Sequence, residues 1–173
     1  NKIAVVGGVI ASIATVSALR ARGLPCVAFE KKAGPGGLWY HNYPGAKNQT
    51  GAELYEFPEK KFPAEIRSTD LDVTATQVCD YLKEYIQEQD IADCFRFGVE
   101  VTKILREAHD KWILHFQDGT MKMFSFVIVC SGVYSSNPNI IDLPDRIAFE
   151  EAGGRVIHTS QRKNDSEFKD KNV

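Results

Sequence analysis

Positions 7–12 are the first residues whose types and spacing could do chemistry. They read G-G-V-I-A-S and directly follow a short apolar run. The pattern G-x-G-x-x-G at such a place is typical of a turn whose backbone amides bind the diphosphate of a dinucleotide. Gly7 and Gly8 allow a tight turn, and Ser12 is small enough for close packing of a following helix. Val9 replaces the second motif glycine, so we expect it to fill the space beside the diphosphate or to force the loop outward.

An acidic residue stands where this motif requires one. Glu30 closes a second apolar run, Cys26–Phe29, and lies 18 residues after Ser12. A carboxylate there accepts hydrogen bonds from the two ribose hydroxyls of adenosine and repels a 2′-phosphate. The site therefore favours FAD or NAD over NADP. Because of Val9, a unit that holds no ligand remains the alternative.

These residues require a strand, a glycine turn, a helix and a second strand. The β-branched run Ile3–Val6 predicts a buried strand, and apolar residues at helical spacing predict a helix over Ile10–Arg22, which Gly23 ends. Cys26–Phe29 is then the second strand. The resulting βαβ unit, residues 2–30, predicts an α/β, Rossmann-like dinucleotide-binding domain built on a parallel sheet.

The second half of the chain predicts one helix and a group of strands. The amphipathic stretch from Thr76 to about Gln89 is helical, with Thr74 or Thr76 as its N-cap. Asp118-Gly119 is a hairpin turn between two of the strands. The predicted strands are Phe95–Leu105, Trp112–Phe116 and Met123–Val129. Together they form a small antiparallel insert, whose last strand could continue into the main sheet.

Composition excludes several classes of function. A net charge of −2 over 173 residues, with basic and acidic residues interspersed, gives no field for binding nucleic acid. No apolar run is long enough to span a bilayer. The four cysteines have no metal-ligand or disulfide spacing, so we expect reduced, mostly buried thiols, no metal site and, by default, a cytoplasmic location.

A glycine- and aromatic-rich stretch carries a family resemblance. Residues 34–40 read G-P-G-G-L-W-Y, and Tyr43-Pro44-Gly45 follow. The stretch resembles the GGLW or GGTW loop of class B flavin monooxygenases, that is, flavin-containing monooxygenases and Baeyer–Villiger enzymes. Its glycines would let backbone amides approach a flavin, and Trp39 would shield an apolar ring. The alternative is an aromatic loop that packs only on its own core.

Further motifs match the family in order. Glu56-Phe57-Pro58 with Phe62-Pro63 resembles its DFP and FP elements, and residues 127–132, V-I-V-C-S-G, followed by Pro138 and Pro144, resemble its strand ending in CSG or ATG. Residues 154–159 resemble part of the fingerprint F-x-G-x-x-x-H. With FAD as the implied cofactor, the cofactor-binding candidates are Gly7, Gly8, Val9, Ser12, Glu30, Lys31, Gly37, Leu38, Trp39, Val101, Ser131 and Gly132.

Some positions depart from the family pattern. In the fingerprint, Gly154 and His158 keep their spacing, but Ala152 stands where the phenylalanine belongs and Phe149 is the nearest aromatic residue. Asn42 replaces the arginine that Baeyer–Villiger enzymes carry before Tyr-Pro-Gly, which favours the heteroatom-oxidising branch or neither branch.

One asparagine is the only catalytic candidate. Asn48 could correspond to the active-site asparagine of flavin-containing monooxygenases, but its spacing from the GGLW element differs from the family's. A solvated loop asparagine is the favoured interpretation.

The resemblance implies a single partial FAD domain over residues 1–173. Its parts are the βαβ unit 2–30, a flavin-side loop 31–61, a helix and β insert 74–132, and a connecting segment 133–173 that leads toward an NADPH domain outside this chain. We therefore expect that the chain alone cannot reduce its flavin with NADPH.

The implied activity belongs to the complete enzyme. It is an FAD-dependent, NADPH-using monooxygenase that inserts one oxygen atom into a soft nucleophile (N or S) or a ketone, with a small-molecule substrate. The alternative is a degenerate, non-catalytic homologue that acts as a scaffold or as a subunit of a larger assembly.

Overall fold

The computed structural model describes residues 2–43, 45–67, 73–107, 111–133 and 139–173. Its residues group into two compact units. The main unit runs up to His41 and from Lys47 to Gly132, and the small unit joins Asn42–Ala46 to Val133–Val173. Pro44 and Pro138, named above as family elements, lie outside the described residues.

A four-stranded parallel sheet is the centre of the main unit. Its strands are β1 (Ile3–Val6), β2 (Cys26–Glu30), β3 (Phe95–Phe97) and β7 (Phe126–Val129), in the order β3-β2-β1-β7. Ile3 pairs in parallel with Cys26 on one side and with Phe126 on the other. The predicted α/β, Rossmann-like class is confirmed, including the placement of the glycine turn after β1.

The insert is a three-stranded antiparallel sheet. It consists of β4 (Val101–Glu107), β5 (Lys111–Phe116) and β6 (Met121–Phe124), in the order β4-β5-β6. The Asp118-Gly119 turn between β5 and β6 is confirmed, with the Phe116 N–H donating to the Thr120 carbonyl at 3.0 Å.

Two predicted strands are each wrong as single elements. Phe95–Leu105 divides at Gly98, whose N–H donates to the Lys32 carbonyl at 2.8 Å and turns the chain out of the parallel sheet. Met123–Val129 divides at Ser125, whose N–H donates to the Lys2 carbonyl at 3.2 Å, and its second half continues into the main sheet as β7, as predicted. In both cases apolar residues on either side of a single small residue, Gly98 or Ser125, hide the point at which the chain changes sheet.

The helices cover one face of the parallel sheet. They include α1 (Ile10–Ala21) and α3 (Ala75–Glu88), with α2 (Ala64–Arg67) short; α4 (Arg146–Glu151) lies in the small unit. Of the two predicted caps for α3, Thr74 is the one used, because its Oγ1 accepts the Gln77 N–H and its own N–H donates to Gln77 Oε1. Short 3₁₀ helices occur at Trp39–His41, Ala52–Tyr55, Ala92–Cys94, Thr159–Gln161 and Asp165–Phe168.

The core has two layers because β2 is buried on both faces. Cys26 and Ala28 face the helix layer with residues such as Ile13 and Leu82. The intervening Val27 and Phe29 face the insert, where the Phe29 ring meets Phe116 edge-on at 4.8 Å. Glu30 is the last residue of β2 and therefore lies at the carboxyl edge of the sheet. No helix within the described ranges is long and apolar enough to cross a bilayer.

Candidate functional site

The glycine turn lies at the carboxyl ends of β1, β2 and β7. The Gly7 N–H donates to the Phe29 carbonyl at 2.8 Å, and the Cys130 N–H donates to the Val6 carbonyl at 2.8 Å. The second bond sets the Cys130 carbonyl against Gly7. Ser131 and Gly132 follow at once and are exposed. The predicted Cys-Ser-Gly element and the glycine turn are therefore neighbours, as ligand binding at the carboxyl ends of parallel strands requires.

Glu30 lies directly beside this turn. Its side chain is only 6% exposed, and Oε1 accepts the Lys32 N–H at 2.8 Å. A Cβ built on Gly8 would come within 2.6 Å of Glu30 Cγ, so the approach of the turn to the carboxylate depends on glycine at that position. A buried acid held next to a backbone turn is the arrangement that binds an adenosine ribose.

The chain after Glu30 brings two more candidates to the same edge. Lys31 is exposed, and the Glu30 carbonyl accepts the Val99 N–H at 2.9 Å. Val101, half-buried at the start of β4, follows two residues later. The segment 99–101 therefore runs past the end of β2, where the adenine of a dinucleotide would lie if Glu30 holds the ribose.

Ser12 has a role that its size alone did not predict. It is fully buried, its Oγ accepts the Val9 N–H at 2.7 Å, and its hydroxyl donates to the Val9 carbonyl at 2.7 Å. Val9 is the N-cap of α1 and has an extended backbone. The two bonds between Ser12 and Val9 give the Val9 N–H an acceptor within the protein, so this amide is not available to a phosphate. The following amides, at the start of α1, have no acceptor within the helix.

Val9 also fills the space between the turn and the glycine-rich loop. Gly36 donates its N–H to the Gly8 carbonyl at 3.2 Å. Gly37 has a φ of +54°, and a Cβ there would overlap Val9 Cγ2. The Val9 side chain therefore lies against Gly37, and the glycine-rich loop stays in contact with the turn rather than being forced away from it.

The aromatic residue Trp39 of that loop packs against a residue of the same main unit. Trp39 is half-buried and meets the Tyr55 ring edge-on at 5.8 Å, whereas Leu38 is exposed. Below the loop, a Cβ on Gly36 would come within 2.6 Å of Cys79 Sγ. Burial raises the pKa of the Cys79 thiol, which keeps it neutral in this apolar contact. Gly36 was not among the predicted binding residues, although the run of three glycines in four positions could have identified it.

Asn48 is not the solvated loop residue that the sequence favoured. Its side chain is 4% exposed, its N–H donates to the Val73 carbonyl at 3.0 Å, and Nδ2 donates to the Thr50 carbonyl at 2.7 Å. Among the described residues, Oδ1 has no hydrogen-bond partner. An unpaired buried acceptor costs about 1–3 kcal/mol, so its retention is typical of a functional position.

The Glu56-Phe57-Pro58 element is part of the core rather than of the site. The Phe57 N–H donates to the Tyr81 hydroxyl at 2.7 Å, and the Phe57 ring stacks on Tyr85 with centroids 4.0 Å apart. Glu56 is buried, and its Oε1 lies 3.0 Å from Arg67 Nε. These contacts fix α3 below the glycine-rich loop.

In the small unit, an aromatic residue from outside the expected position contacts the fingerprint that contains His158. Phe149 packs against Gly154, whose N–H donates to the Phe149 carbonyl at 2.9 Å. The ring therefore reaches the motif glycine although Ala152 occupies the expected position. His158 Nδ1 accepts the Ser160 N–H at 3.2 Å at the start of a 3₁₀ turn.

The residues of the main unit fit FAD at its adenosine end. The fit rests on the close approach of Gly8 to the buried Glu30 and on the first amides of α1, which have no acceptor within the helix. Val9 narrows the same site where the diphosphate would pass. Among the described residues, no three His, Cys, Asp or Glu side chains are placed to hold a metal ion.

Comparison with known proteins identifies the family of the chain. A model of the flavin-binding monooxygenase-like family matches residues 1–173. Acetone monooxygenase (methyl acetate-forming) of Gordonia sp. (strain TY-5) is 27% identical over 171 residues, covering 91% of this chain and 30% of that protein. Trimethylamine monooxygenase of Roseovarius sp. (strain 217) is 28% identical over 169 residues, covering 85% and 37%.

A solved structure extends the agreement to three dimensions. Cyclohexanone monooxygenase from Rhodococcus sp. Phi1, bound to NADP⁺, superimposes with a TM-score of 0.70 and 31% identity, over 94% of this chain and 31% of that one. The chain thus spans well under half the length of each of these proteins. The predicted cofactors, FAD and, in the complete enzyme, NADPH, are those of these relatives' family. The chain belongs to the flavin-binding monooxygenase-like family.

Proposed function

We propose that this chain binds FAD and forms the part of an NADPH-using monooxygenase that holds the adenosine and diphosphate of that cofactor. The observation that carries the proposal is the contact between Gly8 and the buried carboxylate of Glu30 at the carboxyl edge of the parallel sheet. Dinucleotide-binding folds use this combination for the ribose. The charge of Glu30 disfavours a 2′-phosphate, which assigns FAD rather than NADPH to this site.

Each of the chain's own groups then has a role. Glu30 accepts hydrogen bonds from the ribose hydroxyls, and the first amides of α1 donate to the diphosphate. Trp39 and the Gly36–Gly37 backbone flank the flavin side and exclude water. Asn48 Oδ1, which is buried and has no partner among the residues that the structure describes, accepts a hydrogen bond from a bound group. In the complete enzyme, FAD reduced by NADPH activates oxygen for transfer of one atom to a soft nucleophile (N or S) or a ketone.

A second candidate function rests on Val9. Its side chain lies against Gly37, and its amide is bonded to Ser12. A copy whose diphosphate space is filled in this way would be a non-catalytic homologue that serves as a scaffold or subunit. The intact Glu30 and glycine-rich loop favour the first candidate, since a scaffold does not need them.

Flavin uptake by the purified chain decides between the two. The chain is incubated with excess FAD, passed through a desalting column and scanned for the visible flavin band. We expect the band to co-elute with the protein and FAD to be released on denaturation. A colourless protein at saturating FAD contradicts the proposal and favours the scaffold.

The same preparation tests the role of Glu30 in cofactor choice. ADP should displace the bound FAD, whereas adenosine 2′,5′-bisphosphate should displace it far less, because its 2′-phosphate meets the carboxylate. Equal displacement by the two nucleotides would show that Glu30 does not contact the ribose.

A further inference from the structure

A cavity lies on the insert side of the parallel sheet, within the main unit. It has a volume of about 400 Å³ and lies between β2 and β3 of one sheet and β6 of the other. Small-molecule sites commonly measure about 300–1,000 Å³. It is lined by Lys2, Val27, Phe29, Arg96, Lys122, Met123 and Phe124. None of these is a candidate for the cofactor site.

The floor of this cavity is apolar. Val27, Phe29 and Phe124 are almost completely buried, and Phe29 and Phe124 pack edge-on with ring centroids 5.9 Å apart. Met123, by contrast, is largely exposed at the margin. Rigid aromatic rings and a flexible thioether together suit an apolar guest of variable shape.

The charged lining of the cavity has one sign. Lys2, Arg96 and Lys122 are exposed cations, and no acidic side chain lines the cavity. In the described part of the chain, none of the three forms a salt bridge. Arg96 is oriented by two hydrogen bonds from Nη1 to the carbonyls of Asp93 and Phe95, both at 2.8 Å, which leave its charge uncompensated.

Lys122 is held in a similar way. Its Nζ lies 5.8 Å from the centroid of the Phe116 ring, a cation–π contact that keeps it near the apolar floor. Asp118 Oδ1 accepts the Thr120 hydroxyl and N–H at 2.6 and 2.9 Å, and these bonds, followed by the smaller effect of the Lys122 charge, lower the pKa of Asp118. The cations Lys2, Arg96 and Lys122 thus form a positive rim, and no carboxylate among the lining residues pairs with them.

We propose that this cavity binds a small amphiphilic anion, namely a medium-chain carboxylate. Its alkyl chain lies on the apolar floor and its carboxylate meets Arg96 and Lys122. An apolar body alone does not explain a rim of three cations, and an inorganic anion alone does not explain the aromatic floor. This site is separate from the proposed FAD site and does not depend on it.

Isothermal titration calorimetry with decanoate tests the proposal on the whole chain. Arg96→Gln/Lys122→Gln should weaken decanoate binding by about tenfold or more, because each charge-assisted contact is lost. Lys103→Gln on β4, an exposed lysine outside the lining, is the matched control and should leave the affinity unchanged. All altered residues are exposed, and circular dichroism verifies that each variant is folded.

Decyltrimethylammonium, with the same chain and the opposite charge, should not bind to the unaltered protein. Three results would overturn the proposal: no heat with decanoate up to about 1 mM, equal binding of both surfactants, or equal loss of decanoate binding in the control variant. The second result would mean adsorption to apolar surface without recognition of the anion.

Discussion

The two ends of the proposed cofactor site differ in how much space the surrounding side chains leave for a ligand. At the ribose end, Gly8 lies close to the buried Glu30, whose Oε1 accepts the Lys32 N–H. At the diphosphate end, Val9 fills the gap to Gly37 and shares both backbone polar groups with Ser12. One end is prepared for adenosine, whereas the other is already packed by the chain itself. The comparison teaches that affinity for the nucleoside and affinity for the diphosphate can be separated by mutation.

The largest effect is expected for the contact that closes the diphosphate end. Gly37→Ala places a methyl group against Val9 Cγ2 at a positive φ, so it should lower the free energy of unfolding by about 2–4 kcal/mol. Urea titration followed by circular dichroism measures this change. Gly45→Ala is a matched control for positive φ, because a Cβ there meets no atom within 4 Å.

The Val9→Gly background sharpens the same measurement. There, Gly37→Ala should cost clearly less, because the methyl group no longer has a side chain to meet. An unchanged cost would mean that backbone conformation alone explains the loss and that Val9 does not fill the gap.

The next effect concerns the ribose end. Glu30→Gln removes the charge from the hydrogen bonds to the ribose and should weaken AMP binding by about thirtyfold, which corresponds to about 2 kcal/mol. Equilibrium dialysis with AMP measures it, with Glu107→Gln on the exposed insert as the control. If AMP binds both variants equally, Glu30 is not the residue that binds the ribose.

Val9→Gly should act at the diphosphate end only. Removal of the side chain opens the gap, so FAD affinity should rise by about tenfold, while AMP affinity should stay constant. Flavin fluorescence quenching measures the first and dialysis the second. A parallel rise for both ligands would contradict the separation of the two ends.

The smallest effect is expected for Ser12→Ala. It frees the Val9 amide but removes the two hydrogen bonds between the buried Ser12 hydroxyl and the Val9 backbone, which should cost about 1 kcal/mol of stability. FAD affinity should rise slightly, since one more backbone donor becomes available to the diphosphate. Thr15→Ala, whose hydroxyl bonds to the Ala11 carbonyl within α1, is the control for loss of a helical hydroxyl. A fall in FAD affinity confined to Ser12→Ala would show that the hydroxyl itself contacts the ligand.

The first thirty residues were predictable from sequence because their information is local. Apolar runs, glycines and a helical period determine β1, α1 and β2 within the range of one another, and Glu30 follows from its distance to the turn. Asn48 was not predictable, because its burial depends on the carbonyl of Val73, which is remote in sequence. The mutual bonds of Val9 and Ser12 were not predictable either, since a serine side chain gives no sign of its acceptor until the turn is built.

The change of sheet at Ser125 is a second feature that local sequence does not predict. Residues 121–129 alternate too weakly to separate two strands, and only pairing with β1 distinguishes β7 from β6. Secondary structure in this part of the chain is set by tertiary partners rather than by local preference.

The parallel pairing of β1 with β7 also bears on how the chain is made. During synthesis, β1, α1 and β2 leave the ribosome long before residues 126–129 exist, so one edge of β1 stays open while the whole insert is translated. Closing the sheet then joins segments more than a hundred residues apart. Such a pairing raises the contact order of the fold, which slows folding. We therefore expect nascent chains that end before β7 to be the species that chaperones bind.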